Sequence, residues 1–180
     1  MEELLEKARE GDEKAFEKLV NSIKRELYII AKSRLLDDSL AEDAVQDTII
    51  SLYENIYKIR NSNKIKEWCI VVLINRCKRM KRQNKIREIS YDEIECDKFL
   101  YSKDEYKQLI DKVNFFQIID GLSEQDKLII TLYYSSEQTT KEISRILNIN
   151  ESTVRSKISR IRKEIKRKIG DENNERWRVR

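Results

Sequence analysis

Residues 139–168 read TTKEISRILNINESTVRSKISRIRKEIKRK and predict two helices joined by a tight polar turn. Thr139 and Glu142 have the spacing of a capping box at the start of the first helix. Asn148 stands in the turn, where an asparagine tolerates the left-handed conformation that a tight turn requires. Two helices in this arrangement form a helix-turn-helix, whose second helix fits the major groove of DNA.

The second predicted helix has an apolar stripe on one side and a basic, hydroxyl-rich face on the other. The stripe repeats every three or four residues and consists of Val154, Ile158, Ile161 and Ile165. On the other face, small hydroxyl side chains permit close approach to DNA and cations reach phosphates. The candidate DNA-binding set is Thr140, Ser152, Thr153, Arg155, Ser156, Ser159, Arg160 and Lys163. A basic amphipathic helix also suits a membrane or an acidic protein, but the preceding helix and turn favour DNA.

The composition of the 180 residues limits the classes of protein to consider. Hydrophobic and charged residues each make up 39%, there is no proline, and only three glycines occur. Because a β-rich fold needs more turn residues, we expect an all-α fold. There is no histidine, the commonest general base, and the three cysteines lack CxxC spacing. We therefore expect no metal, no cofactor and no enzymatic activity.

The sequence carries no signal for a membrane or for export. No apolar run approaches the ~18 residues of a membrane span, and the N-terminal EELLEKAREGDEK does not resemble a signal peptide. An odd number of cysteines suits a reducing compartment. We expect a cytoplasmic protein whose partners include neither a membrane nor a small-molecule substrate.

Charge is distributed in alternating blocks along the chain. Residues 61–87 contain nine basic and one acidic residue, and residues 127–170 contain eleven basic and four acidic ones. Between them, residues 88–126 contain four basic and eleven acidic residues. Either basic block alone is compatible with ordinary solvated helix faces. Together they indicate two separate contacts with a polyanion.

The first 60 residues predict helices with clear start signals. Asp12 is the expected N-cap of a long helix, and Ser39 with Glu42 predicts a capping box at the start of the next one. The exposed face of that next helix is acidic and contains Asp43, Gln46, Asp47, Ile50 and Glu54. Such a face is either plain surface or a docking site for a basic partner.

A long helix is predicted after the break at residues 60–63. Its core stripe is Cys69, Leu73, Cys77 and Met80, which makes both cysteines small buried hydrophobes. Arg76 lies on the core side and is expected to form a structural ion pair. The opposite face and the break supply a second candidate DNA-binding set: Asn61, Asn63, Lys64, Trp68, Asn75, Lys78, Arg79 and Arg82. Trp68 either stacks on an unpaired base or fills the core between helices.

The domain organisation follows from these patterns. We predict that residues 1–87 form one small helical domain and that residues 105–170 form a second. Residues 88–104 are acidic, lack a consistent period and are predicted to be a linker, and residues 171–180 are a polar tail.

Three segments resemble a known family. AEDAVQDTIISLYENI (41–56), IKEWCIVVLINRCKRMKR (65–82), and LSEQDKLIITLYY (122–134) with the helix-turn-helix are similar to regions 2 and 4 of sigma factors. The chain resembles an extracytoplasmic-function sigma factor of the sigma-70 family, and its lysine-rich composition is similar to that of the clostridial regulators of toxin and bacteriocin genes.

The resemblance implies promoter recognition together with core RNA polymerase. The acidic helix face would dock on the β′ clamp, the Trp68–Arg82 face would hold the minus-ten element, and the helix-turn-helix would read the minus-thirty-five element. The β flap and an anti-sigma factor are further implied partners.

Other classes of function make different predictions. A stand-alone helix-turn-helix regulator would bind DNA as a dimer without polymerase, but no heptad seam for a dimer is present. A nuclease or recombinase needs a carboxylate cluster or a poised nucleophile, which the acidic residues at 37–47 and 92–97 do not provide. An anti-sigma-like adaptor would leave both basic blocks unexplained.

Overall fold

The computed structural model of the chain describes residues 2–87, 115–116 and 118–169. Within those ranges there is no strand, so the all-α prediction is confirmed. The α-helices are α1 (Glu2–Arg9), α2 (Glu13–Leu35), α3 (Asp38–Asn55), α4 (Ile65–Arg87), α5 (Glu124–Tyr134), α6 (Thr140–Leu147) and α7 (Glu151–Ile169). Two 3₁₀ turns, Ile56–Lys58 and Ser62–Lys64, connect α3 to α4.

Some predictions lie outside the described residues. These are the acidic linker 88–104, the first part of the second domain, Cys96 and the tail 171–180. The side chain of Asn63 also lies outside the described part of the chain.

Helix starts follow the capping signals in the sequence, with one correction. Asp12, Ser123 and Thr139 each accept a hydrogen bond from a backbone N–H in the first turn of α2, α5 and α6. The predicted cap at Ser39 is wrong, because α3 begins at Asp38 and its N-cap is Asp37. The Asp37 carboxylate accepts a hydrogen bond from the Leu40 N–H at 2.7 Å. A carboxylate satisfies the free N–H and also complements the positive end of the helix dipole.

Helices α2, α3 and α4 pack on one another, and α1 covers α2; we call these four helices the N-terminal bundle. Its core contains the predicted stripe, since Cys69, Leu73 and Cys77 are fully buried and Met80 is partly buried. Burial raises the pKa of the Cys69 thiol to about 12 and that of the Cys77 thiol to about 11. Both cysteines are therefore neutral packing residues, as predicted.

Helices α5, α6 and α7 form the C-terminal bundle, in which α6 and α7 are the predicted helix-turn-helix. Asn148 ends α6 in the left-handed conformation, with φ 52°. The stripe Val154, Ile158, Ile161 and Ile165 is buried throughout. The capping box of Thr139 and Glu142 is complete, and the Thr139 backbone N–H lowers the pKa of the Glu142 carboxyl.

The two bundles are in contact. Helix α5 packs against α2, and α6 packs against α4. Ion pairs cross the contact at two points on α4, where Lys81 lies 2.6 Å from Glu124 and Glu67 lies 3.9 Å from Arg145. The buried apolar residues of both bundles form a single connected cluster.

Leu52 tests the core of the N-terminal bundle, because its side chain is fully buried on α3. Leu52→Ala is expected to lower the free energy of unfolding by about 2–5 kcal/mol, since it removes apolar contacts and leaves a cavity. Ile50 on the same helix is 56% exposed and is the matched control. Ile50→Ala is expected to change stability by no more than about 0.5 kcal/mol in urea titrations. Equal effects of the two substitutions would contradict the assigned inward face of α3.

Candidate nucleic-acid and protein interfaces

The outward face of α7 contains the predicted upstream DNA-binding residues. Because the buried stripe fixes the rotation of α7 about its axis, the hydroxyl and basic side chains lie on the solvent side. Of the predicted set, the residues that are exposed are Ser152, Thr153, Arg155, Ser156, Ser159, Arg160 and Lys163. Thr140 is partly buried at the start of α6. The structure therefore brings this set together on one surface.

Glu151 joins Thr140 and Arg155 of this surface, and its role was not predicted. One of its carboxylate oxygens accepts hydrogen bonds from the Thr140 hydroxyl and from an Arg155 guanidinium N–H, both at 2.7 Å. The Thr140 hydroxyl and Arg155 hold the pKa of the Glu151 carboxyl below its usual value. The start of α6 is thus linked to the first turns of α7. The spacing of Glu151 and Arg155, four residues apart on one helix, was a usable signal in the sequence.

Asp126 of α5 anchors the middle of α7. Its carboxylate lies 2.7 Å from Lys157 and 3.4 Å from Arg160. Burial raises the pKa of the Asp126 carboxyl, but hydrogen bonds from Lys157 and Ser123 and the charges of Lys157 and Arg160 lower it, and the net shift is downward. Lys157 is therefore engaged within the protein. Arg160 remains largely exposed, with 65% of its side chain accessible.

The lowered pKa of the Asp126 carboxyl determines how the stability of the fold changes with pH. A carboxyl whose pKa is lower in the folded state stabilises the fold above its unfolded pKa, near 4, and loses that effect as the pH falls through its folded pKa. Asp126→Asn leaves Lys157 without its partner, so we expect a loss of about 2–4 kcal/mol at pH 7 that shrinks at pH 3. Urea titrations at both pH values measure this difference.

Asp120 provides the control for that experiment, because it pairs with Lys127 at 3.0 Å but 74% of its side chain is exposed. Asp120→Asn is expected to cost no more than about 1 kcal/mol at pH 7. A pH-independent effect of Asp126→Asn would contradict the role given to its charge.

Arg162, next to this surface, is held by two aromatic rings. Its Nε donates to the Tyr134 hydroxyl at 2.7 Å, and its guanidinium lies 5.3 Å from the centre of the Tyr133 ring. These contacts fix the C-terminal half of α7 against the end of α5. Neither this contact nor that of Asp126 was predicted, since the partners are about 30 residues apart in sequence.

The second candidate DNA-binding set lies along α4. Its exposed members include Lys64, Asn75, Lys78, Arg79 and Arg82, together with Asn61 from the preceding turn. Val71 lies on the same stripe and is 36% exposed. Trp68 is partly buried and packs against the core, and its stacking on an unpaired base stays a prediction. The structure thus aligns a partly accessible indole, an amide and several cations.

A cleft of about 370 Å³ separates α3 from α4 and is lined by the predicted protein-docking residues Asp43, Gln46, Asp47 and Ile50. From α4, the cleft is lined by Arg76, Arg79, Met80 and Gln83. Glu54 lies one turn further along α3 and is exposed. Arg76 forms the predicted ion pair, with its Nε 3.2 Å from the Asp47 carboxylate. Arg79 therefore lies between the cleft and the DNA-binding face.

The described residues contain neither a cluster of metal ligands nor a membrane-spanning helix. No group of three or more histidine, cysteine, aspartate or glutamate side chains in this part of the chain is placed to hold a metal ion. None of its helices has the length and apolar character needed to cross a bilayer.

Two sequence models of known protein regions match the chain. The sequence model described as "Sigma-70 region 2" matches residues 19–86, and that described as "Sigma-70, region 4" matches residues 112–165. Together the two matches cover most of the chain. The chain therefore belongs to the sigma-70 family, and it is an extracytoplasmic-function-type RNA polymerase sigma factor that directs promoter-specific initiation of transcription.

Individual relatives support the same assignment. The chain is 25% identical over 182 residues to the ECF RNA polymerase sigma-E factor of Salmonella typhimurium, with 92% of each chain covered. It is 28% identical over 140 residues to the sigma factor SigV of Bacillus subtilis, covering 76% of this chain and 80% of SigV. The fold is similar to that of the sigma factor RpoE in its complex with the anti-sigma factor NepR from Bartonella quintana. That match has a TM-score of 0.69 at 19% identity, and it covers 89% of this chain and 99% of the RpoE chain.

Proposed function

We propose that the N-terminal bundle docks on core polymerase and holds the minus-ten element, while the C-terminal bundle reads the minus-thirty-five element. The observation that carries this proposal is the separation of three exposed polar surfaces on α3, α4 and α7, each backed by a buried apolar stripe. A protein that needs polymerase and two DNA elements at once requires three such surfaces.

The upstream element is read by α7. Ser152, Thr153 and Ser156 are short side chains at the start of the helix, where the backbone approaches the base edges most closely. Arg155 contacts a base or phosphate in an orientation set by Glu151, which receives its hydrogen bond in the free protein. Ser159, Arg160 and Lys163 continue along the helix towards the phosphates, and Thr140 contacts the phosphate backbone from α6.

The minus-ten element is held by α4. Trp68 offers an aromatic surface on which an unpaired base stacks, and Asn75 hydrogen-bonds a base edge. Asn61, Asn63, Lys64, Lys78, Arg79 and Arg82 contact the backbone of the separated strand.

Polymerase docks at the cleft between α3 and α4. Asp43, Gln46, Asp47, Ile50 and Glu54 present carboxylates, an amide and an apolar side chain to a basic helical surface of the β′ clamp. Arg76 keeps Asp47 in place by its ion pair across the cleft. The C-terminal bundle contacts the β flap.

The proposal also covers the domain boundaries, the linker, the compartment and a further partner. The two domains are 1–87 and 105–170, joined by an acidic linker at 88–104 that follows the path of the transcript. The protein acts in the cytoplasm without covalent chemistry and without a cofactor. An anti-sigma factor is a further partner, because the similar sigma factor RpoE is solved in complex with one.

Transcription from randomised promoters tests the proposal. The purified chain and core polymerase are incubated with a library of upstream sequences, and the transcribed templates are sequenced. We expect enrichment of two short motifs at a fixed spacing. Transcription without enrichment, or no transcription at all, would contradict the assigned function.

A further inference from the structure

We propose that Glu2 is a positioning residue for recognition of the minus-ten element. It holds the segment 56–64, which we call the α3–α4 turn, in the shape that presents Asn61 and Lys64 to the DNA. Glu2 acts through Ser62 and does not touch the DNA itself. This inference rests on the proposed function, because it concerns how the minus-ten face is assembled.

A hydrogen bond joins the first helix to the α3–α4 turn across 60 positions of the chain. The Ser62 hydroxyl donates to the Glu2 carboxylate. Ser62 is 5% exposed, whereas Asn61 and Lys64 near it in the turn are exposed. The bond therefore fixes the residue of the turn that points inward, and as a consequence its neighbours are presented to solvent.

Helix α1 is seated firmly enough to serve as a fixed point for this bond. Its Leu5 and Ala8 are 1% and 8% exposed and belong to the apolar core. The helix packs against α2 and also contacts the 3₁₀ turn Ile56–Lys58. Because burial of the apolar face holds α1 in place, Glu2 at its first position is kept beside the α3–α4 turn.

The two halves of the α3–α4 turn are attached to the N-terminal bundle in different ways. In the first half, Ile56 and Ile59 are 6% and 8% exposed, so apolar burial holds it. In the second half, the Lys64 N–H donates to the Asn61 carbonyl at 3.0 Å, a bond that lies within the turn. The side-chain bond of Ser62 attaches this second half to another helix.

The start of α4 is held independently of Glu2. Lys66 in its first turn pairs with Glu26 of α2 at 2.5 Å. Loss of the Glu2 bond should therefore displace the α3–α4 turn and leave the course of α4 unchanged. Trp68 and Asn75 lie further along α4 and keep their places. The effect on DNA should be confined to the part of the minus-ten element that the turn contacts.

Three substitutions separate the hydrogen bond from the charge of Glu2. Glu2→Ala removes the acceptor and leaves a buried hydroxyl donor unpaired, which costs more than removing both groups. Ser62→Ala removes the donor, while the Glu2 carboxylate stays solvated. Glu2→Gln removes the charge but keeps an oxygen that accepts the bond. We therefore expect the largest effect from Glu2→Ala, a smaller one from Ser62→Ala and little effect from Glu2→Gln.

Selection of bound promoter DNA by the holoenzyme measures these effects. Each full-length variant is assembled with core polymerase and offered a library whose minus-ten segment is single-stranded and randomised. We expect Glu2→Ala to reduce base preference about tenfold at the one or two positions next to the turn, as for the loss of one buried hydrogen bond. Preference at the remaining positions and affinity for minus-thirty-five duplex should be unchanged.

Glu3→Ala is the matched control, because it removes the same charge from the adjacent residue. The Glu3 side chain is 80% exposed and pairs with Lys7 on the same helix. Its base preferences should equal those of the wild type. Urea titrations check that each variant is folded, and if Glu2→Ala does not fold, Ser62→Ala must show reduced preference at the same positions. A merely structural defect would not alter some base positions and spare others.

Equal base preferences of the wild type and of both Glu2→Ala and Ser62→Ala would overturn the inference. So would a uniform loss across the whole minus-ten segment, an equal loss in Glu3→Ala, or a Glu2→Gln variant that behaves like Glu2→Ala. A wild-type holoenzyme without any base preference in this segment would contradict the proposed function, and the inference would fall with it.

Discussion

Replacing Arg155, Ser156 and Arg160 together with alanine is expected to weaken binding of the holoenzyme to minus-thirty-five duplex by about 100- to 1,000-fold. The variant loses two cationic contacts and one hydroxyl contact, which together contribute roughly 3–4 kcal/mol of binding free energy. All three side chains are exposed on one face of α7. The salt dependence of binding should also decrease, because fewer phosphate contacts release fewer counterions.

The control for the α7 variant removes two cations from α2. Lys14 and Lys18 are exposed on α2, outside both candidate DNA-binding faces. Lys14→Ala with Lys18→Ala should change duplex affinity by less than about threefold, as expected for a change in net charge alone. Fluorescence anisotropy with labelled duplex measures both variants. Equal loss of polymerase binding and duplex binding in the α7 variant would contradict the division of labour between the bundles.

Reversing the charge of the α3 face is expected to have the second large effect. Asp43→Lys with Gln46→Ala should weaken the affinity for core polymerase by about 50-fold or more, because it places a cation against a basic surface and removes a hydrogen-bonding amide. Both residues line the cleft between α3 and α4. Once the holoenzyme has formed at high concentration, its affinity for the minus-thirty-five duplex should be unchanged.

Glu17→Lys with Asn21→Ala is the control for the α3 variant, since it makes the same chemical changes at exposed positions of α2. Its polymerase affinity should remain within about threefold of wild type. Competition with a labelled wild-type chain for core polymerase measures both variants. A similar loss in the control would mean that net charge, not the α3 face, determines binding.

Local patterns predicted most of the helices and their inward faces. The stripe from Val154 to Ile165 repeats at the helical period, and all four of its members are buried. Capping signals at Asp12 and Thr139 also correspond to observed helix starts. Both kinds of signal depend on residues within a few positions of each other, so sequence spacing is sufficient to find them.

The N-cap of α3 was predicted wrongly at Ser39 because neighbouring residues are also good N-caps. Residues 37–39 are Asp, Asp and Ser, and each is a good N-cap. The capping-box spacing to Glu42 favoured Ser39, but Asp37 caps the helix two residues earlier. With several good caps in a row, the packing of the whole helix decides which one is used.

Contacts between residues far apart in the chain could not be predicted from the sequence. Asp126 binds Lys157, and Glu124 binds Lys81 across 43 positions. The sequence placed the acidic residues of α5 in a block of negative charge that repels DNA, but it did not reveal their partners. Tertiary packing of α5 between two bundles brings these charges together. The contact between the bundles was likewise absent from the sequence-based description.

Site-specific crosslinking in the transcription complex shows whether α4 and α7 contact separate promoter elements. A photoreactive amino acid is placed at Asn75 on α4 or at Ser156 on α7, and holoenzyme is bound to a promoter selected by transcription. We expect both positions to crosslink to DNA, at segments separated by about 25 base pairs, or roughly 85 Å of duplex. Crosslinks from both positions to the same segment, or none to DNA from Ser156, would contradict it.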